Sequence, residues 1–269
     1  MRIAAIQLTP EFGRVAENRR RAGELVRRAR ADLAVLPEVA FTGYVFHSRE
    51  ELARLAEPLD GETAAWMIEL AAATGTLLCY GFPERLGDLF FNSAALVGPN
   101  GMLAVYRKIH LFMDELGLFT PGREPFSVHE INGVRLGMMV CFDWYFPESA
   151  RSLALQGAQI LLHPANLVLP FCQNAMVTRS LENRVFTVTA NRGGAELRQG
   201  KEMRFTGCSQ ITRPDGSFER LPDDADSILL AEIDPRQAND KNITISNHLL
   251  KDRRPELYFL DRGNSRFGD

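Results

Sequence analysis

An apolar run over residues 134–140 breaks straight into Cys141-Phe142-Asp143-Trp144-Tyr145-Phe146, after which Pro147-Glu148-Ser149-Ala150-Arg151 starts a helical pattern. The run is short and strand-compatible, and Pro with Glu in a first turn is a helix-opening signal. Cys141 therefore belongs on a strand-to-helix corner, which points to an α/β fold. Such a corner lifts a side chain out of the sheet, where backbone N–H groups and a helix N-terminus stabilise a thiolate or an oxyanion. A buried structural cysteine is the alternative that position alone leaves open.

The same plan runs through the chain. A strand over 2–8 leads to a helix near 15–30 and a strand over 33–36 that stops at Pro37, with Glu38 at its end. Ser48-Arg49-Glu50-Glu51 has capping-box form, and 61–73 reads as a further helix. Strands are expected at 76–82 and 89–97, and Asn100-Gly101 marks a hairpin into 102–106, which delivers Arg107-Lys108-Ile109-His110. In the second half the helix near 147–156 precedes a strand over 159–162 ending at His163-Pro164. A helix near 173–186 and a strand over 186–190 follow, then Pro214-Asp215-Gly216 as a turn between strands near 207–212 and 227–233. Leu36-Pro37-Glu38 and His163-Pro164-Ala165-Asn166 occupy matching places, which predicts a pseudo-symmetric sandwich of two sheets covered outside by helices. From Pro235 the chain turns polar, and 235–269 is read as an extended tail docking on the body or on another subunit.

With 269 residues, 45% of them hydrophobic, the chain can bury a large core as a single domain over 1–269. A net charge of -3 and the lack of a basic stripe exclude a nucleic-acid partner. Arg19-Arg20-Arg21 and Arg27-Arg28 share an amphipathic helix with Ala22, Leu25, Val26 and Ala29 and read as a solvated face. The N-terminus enters a strand at once, without a signal-peptide layout or a bilayer-length apolar run, so a cytoplasmic protein with no membrane partner is expected. Cys79, Cys141, Cys172 and Cys208 are scattered and form no C-x-x-C pair; reduced thiols without structural zinc are expected.

A cysteine nucleophile needs a group to take its proton, a cation or dipole for the developing negative charge, and a donor for the leaving group. Glu38 and Lys108, like Cys141, stand at strand ends, and strand ends on one rim of an α/β sheet converge. Taken singly, Glu38 could cap a turn and Lys108 could be solvent-exposed. A Cys-His hydrolase built on Cys141 with His163 or His110 is a second reading, and a non-catalytic scaffold a third.

Several segments carry a resemblance. They are Leu36-Pro37-Glu38 with Phe41-Thr42-Gly43-Tyr44; Tyr106-Arg107-Lys108-Ile109-His110-Leu111-Phe112; Phe119-Thr120-Pro121-Gly122; and the Cys141 stretch through Phe146-Pro147-Glu148. Arg151 to Ala158, His163-Pro164-Ala165-Asn166-Leu167 and Leu181-Glu182-Asn183-Arg184-Val185-Phe186 extend it. In order and spacing the chain resembles the nitrilase or carbon–nitrogen hydrolase superfamily over nearly its whole length, and within it archaeal and bacterial members described as nitrilases or aliphatic amidases.

The resemblance implies an αββα sandwich, becoming αββα-αββα in a homodimer or higher homo-oligomer joined through the helix after Cys141 and the 181–186 segment. It implies a Glu-Lys-Cys set at Glu38, Lys108 and Cys141, with Glu115 as assisting glutamate and Asp114 the weaker candidate for that place. Neither metal nor cofactor is called for. Phe142-Asp143 follows the cysteine where dedicated nitrile hydrolases carry Trp-Glu, which favours small amides over nitriles, with N-carbamoyl amines third. Tyr44, Phe142, Trp144 and Asn166 are the expected substrate contacts. Phe46, Tyr145 and Phe171 could join Tyr44 and Trp144 in an aromatic mouth; core and interface packing is the favoured reading for Tyr145 and Phe146. Asn166 could equally cap a loop, and His110 reads as a structural histidine.

Overall fold

The structure, a computed structural model, describes residues 1–222 and 225–258. The first strand, β1 (Arg2–Gln7), shows why the chain folds into layers. Ile3 and Ala5 face one core while Ala4 and Ile6 face another, so the strand is apolar on both faces and must be covered on both. It lies in a six-stranded sheet with β2 (Leu33–Val35), β3 (Leu77–Leu86), β4 (Leu89–Gly98), β5 (Gly101–Arg107) and, at the far edge, β14 (Ser227–Glu232), in the order β14-β1-β2-β3-β4-β5. The second sheet holds β6 (Val128–Ile131), β7 (Val134–Met138), β8 (Ile160–Ala165), β9 (Phe186–Asn191), β12 (Gln210–Thr212) and β13 (Phe218–Arg220), in the order β13-β12-β9-β8-β7-β6.

The sheets pack face to face, Ile3, Ala5, Leu33 and Val35 sharing one core with Leu161, Val188 and Ile211. Outside the first sheet lie α1 (Val15–Ala29) and α3 (Glu62–Thr74), whose Ala22, Val26, Met67 and Leu70 cover Ala4, Ile6 and Leu78. Outside the second lie α5 (Pro147–Leu155) and α6 (Cys172–Asn183). This is the expected αββα sandwich. The short helix α2 (Arg49–Leu55) begins at Ser48, whose hydroxyl accepts from Glu51 N at 3.2 Å; Glu51 reaches back to His47 N at 2.8 Å rather than to Ser48, so the expected capping box is displaced by one residue. Among the described residues no helix is long and apolar enough to cross a membrane.

Other expectations change as well. Arg19 is buried rather than solvated: it reaches under α3 to Glu57 at 2.8 Å and Glu62 at 2.7 Å, while Arg20 stays exposed. An amphipathic pattern locates a helix face but not the carboxylates that a distant loop and helix bring to it. The strand expected over 159–162 runs on through His163 and Pro164, paired to β9 as far as Ala165↔Asn191. Pro164 is tolerated because β7 pairs with β8 only through Met138↔Leu162, leaving no ladder donor to supply on that side. Pro214-Asp215-Gly216 turns into β13, which lies between the two strands expected there. A separate hairpin of β10 (Ala195–Arg198) and β11 (Lys201–Arg204), like β6, was not foreseen.

Of the expected tail, 235–258 opens with a 3₁₀ turn, Pro235–Asn239, and runs against the second sheet and α6. Asn239 accepts from Arg135 at 2.8 Å, and Lys241 donates to the carbonyls of Asn183 and Arg184 at 2.9 and 2.8 Å, closing the C-terminus of α6. Its last part, 259–269, lies outside the described residues.

Candidate active site

Topology brings the strand ends together. β2 is parallel to β3, β4 antiparallel to β3, and β5 antiparallel to β4, so β5 runs with β2 and its C-terminus reaches the same rim. Glu38 follows β2 there and Lys108 follows β5. Their backbones are pinned by close approaches that only glycine allows. A Cβ on Gly81 would lie 2.5 Å from the Glu38 Cα, and one on Gly122 would lie 2.1 Å from the Arg107 carbonyl oxygen. Gly122 N also donates to Lys108 O at 2.8 Å.

Both side chains are fully buried, and Lys108 links Glu38 to the buried Glu115 on the short helix α4 (Glu115–Leu118). Lys108 Nζ donates to Glu38 Oε1 at 2.7 Å and to both oxygens of Glu115 at 2.9 Å. Tyr44 OH donates to Glu115 Oε1 at 2.7 Å and Phe112 N to its Oε2 at 3.1 Å. Glu115 is thus no surface carboxylate, whereas Asp114 is exposed. Asn92, which sequence reasoning missed, donates to Glu38 Oε1 at 2.7 Å. The signal was present: Asn92-Ser93 interrupts an apolar strand that is buried along nearly all its length. The other Glu38 oxygen, Oε2, is buried with no hydrogen-bond partner.

Cys141 starts a 3₁₀ turn, Cys141–Tyr145, inserted between β7 and α5, so the expected corner is sharper than a strand feeding a helix directly. Its φ of 41° is left-handed, which costs a non-glycine residue of order 1–3 kcal/mol and marks a position held by its surroundings. Asp143 does much of that holding, accepting from Val140 N at 2.8 Å, Tyr106 OH at 2.7 Å and His110 Nδ1 at 2.7 Å. Below it, His163 Nε2 donates to the Cys141 carbonyl at 3.0 Å and Nδ1 accepts from Thr189 at 3.0 Å. Burial pushes the His163 imidazole down to about 4, so it is neutral, and both its nitrogens are engaged. His163 is therefore not free to act on the sulfur, while His110, held by Asp143 at Nδ1, stacks on Phe146 with ring centroids 3.8 Å apart.

Electrostatics divide the charges. Burial would push the Lys108 ammonium down, but Glu115 and Glu38 outweigh it and hold it above the usual lysine range. Burial and the Glu115 charge raise Glu38 above the ordinary carboxylate value despite Lys108. Burial, then Glu38, pushes the Cys141 thiol well up against the opposing pull of Lys108 and the Asn166 N–H, so the sulfur rests as a thiol. Burial likewise keeps Tyr44 a neutral phenol.

A small cavity opens on Cys141 and Asn166, walled by Phe112, Phe142, Trp144, Leu167 and Leu169. Both side-chain polar atoms of Asn166 are buried without a partner. The aromatic mouth is smaller than expected. Phe46 packs in a separate small core with Phe90 and Phe119, Tyr145 and Phe171 lie exposed on the surface, and Tyr44 lines a second small cavity together with Glu115. Side-chain type alone does not say which of several aromatics near a corner points inward.

Residues 2–241 match the carbon–nitrogen hydrolase family. A protein named nitrilase from Pyrococcus abyssi is 41% identical over 96% of this chain and 99% of its own length. An (R)-stereoselective amidase from Pseudomonas sp. is 32% identical, covering 94% and 92% of the two chains. Among solved structures, an amidase from Nesterenkonia sp. AN1 superposes with a TM-score of 0.79 at 26% identity, over 96% of this chain and 98% of that one; it is a glutamate-to-glutamine variant in which acrylamide has undergone Michael addition at the active-site cysteine. The matched region takes in the rim from Glu38 to Asn166, on a frame shared with that amidase, and the chain belongs to the carbon–nitrogen hydrolase family.

Proposed function

We propose that the chain hydrolyses small, uncharged amides to a carboxylic acid and ammonia, with Glu38, Lys108 and Cys141 as catalytic residues, Glu115 assisting, and a thioester on Cys141 as intermediate. The observation that carries this reading is one buried hydrogen-bonded set, Glu38–Lys108–Glu115, beside a cysteine whose surroundings keep it protonated. A thiol held that way needs a base at the moment of attack, and the unpartnered Oε2 of Glu38 is a ready acceptor.

The thiol proton passes to Glu38 as sulfur adds to the amide carbon. The oxyanion falls to the Phe142 N–H, which opens the 3₁₀ turn without an intrahelical partner, and to Lys108; such donors are typically worth about 3 kcal/mol each. Lys108 makes two of its three contacts to one carboxylate, so releasing either frees an N–H for the oxyanion. Glu38 then gives its proton to the departing nitrogen, ammonia leaves, and water activated by the same carboxylate releases the acid. The same attack serves a nitrile carbon, a reading kept by the name of the Pyrococcus relative. A panel of aliphatic amides, dinitriles and N-carbamoyl amines, assayed for ammonia and product together, separates the three substrate classes. Apart from the catalytic set itself, the described residues that wall the Cys141 cavity, among them Phe112, Phe142, Trp144, Asn166 and Leu167, are uncharged, which supports an uncharged substrate. Pairing of two chains through α5 and α6 belongs to the same proposal, supported by Leu155 and Leu181 exposed on those helices.

Two predictions arise here. A base must be ionised to work, so kcat/KM is expected to fall as pH drops through the raised Glu38 value, with the midpoint above the 4.5 of an ordinary glutamate. A midpoint at or below that value takes the base role from Glu38. Second, Asn166→Leu is expected to raise KM about tenfold or more and also raise Tm, because a buried amide without partners costs about 1–3 kcal/mol until substrate supplies them. A lowered Tm with unchanged KM makes Asn166 a loop cap.

A further inference from the structure

Among the described residues the hairpin β10–β11 joins neither large sheet, its strands pairing only with each other, and Leu197 near its tip is exposed. Its root is different. Glu196, Phe205 and Arg192 are all buried there. The Glu196 carboxylate accepts from two consecutive backbone amides, Tyr44 N on Oε1 and Val45 N on Oε2, each at 2.8 Å, and is ion-paired to Arg192. Arg192 also donates to Pro10 O at 2.7 Å and lays its guanidinium over the Phe205 ring at 4.2 Å. Phe205 in turn meets the Tyr44 ring edge-on, with centroids 5.9 Å apart. Tyr44 is therefore gripped twice, at its backbone by Glu196 and at its ring by Phe205, and its hydroxyl ends on Glu115. The fit is tight at the preceding residue, where a Cβ on Gly43 would lie 2.8 Å from Glu196 Oε1.

A buried ion pair adds little to stability over an apolar pair of the same volume, because desolvation offsets the attraction. What this one does specify is the course of the chain at Tyr44. We propose that the Arg192–Glu196 pair at the root of the hairpin is a positioning device, acting through Tyr44 to hold Glu115 against Lys108. The proposal rests on the assisting role read for Glu115.

The test is steady-state hydrolysis of butyramide by the full chain, with iodoacetamide labelling of Cys141 and Tm as checks of folding. Glu196→Gln is expected to lower kcat about tenfold with KM little changed, and Tyr44→Phe to do the same. In the double variant the loss beyond Tyr44→Phe alone is expected to be under about twofold, since the hydroxyl being positioned is already gone. Phe205→Leu leaves the ion pair intact and is expected to show the same lack of additivity, which decides the matter if Glu196→Gln does not fold. Losses that multiply in the double variants overturn the proposal, leaving the pair a structural role only. So does a slow Tyr44→Phe beside normal Glu196→Gln and Phe205→Leu enzymes. Normal kcat in both Tyr44→Phe and Glu115→Gln would instead remove the reading of Glu115 itself, and the positioning role with it.

Discussion

Cys141→Ala is expected to fold normally and to lose turnover by about 10⁴-fold or more, because no other group in the cavity can form the acyl bond. The small change should leave the corner intact, since Asp143 and His163 hold it through backbone groups rather than through the sulfur. Cys141→Ser should be nearly as inactive: Glu38 faces a hydroxyl far harder to deprotonate than a thiol. Cys79→Ala, Cys172→Ala and Cys208→Ala are the controls. Cys79 lies within β3 and Cys172 opens α6, both buried, and burial pushes both thiols up without a carboxylate or ammonium of the site among the causes. Ammonia release from a simple amide measures all five variants. A Cys141→Ala enzyme keeping more than about a tenth of the wild-type rate would remove Cys141 from its role.

Lys108→Met is expected to lose both activity and stability, and the two losses have separate causes. Stability should fall by about 3–5 kcal/mol, because removing one partner leaves buried charge uncompensated, here two carboxylates that share a single cation. Activity should fall by about 10²–10³-fold in kcat, because the oxyanion is present chiefly in the transition state. Adding Glu115→Gln to Lys108→Met removes one of the stranded charges and should restore part of the stability, measured by urea denaturation, without restoring kcat. A raised KM with unchanged kcat would mean that Lys108 only holds substrate.

Where sequence reading succeeded and where it stopped follows from the range of the forces involved. The strand entered at once over 2–8, the Pro37 stop, the Asn100-Gly101 turn and the Pro147 helix start are local signals. Each is legible because backbone geometry and burial act within a few residues. The strands that escaped, β6, β10, β11 and β13, are three or four residues long and mixed in polarity, and they exist because a distant strand or a tight turn presents partners to them. Arg19 escaped for the same reason, its carboxylates arriving from 38 and 43 residues away.

The candidate site divides along the same line. Residue types and motif order, read by resemblance, pointed to Glu38, Lys108, Glu115 and Cys141. That Glu38 and Lys108, 70 residues apart, meet at 2.7 Å depends on β5 returning parallel to β2. The narrowing of the aromatic mouth was equally out of reach, since only packing decided that Phe46 would turn into a core and Phe171 out to the surface. By itself the sequence determined the layered α/β frame and the chemistry available at its strand ends, because burial pattern and turn chemistry are written residue by residue. Tertiary structure alone decided which buried polar groups face one another, because a charge taken out of water is stable only beside a partner, and here the chain must cross a sheet to supply it.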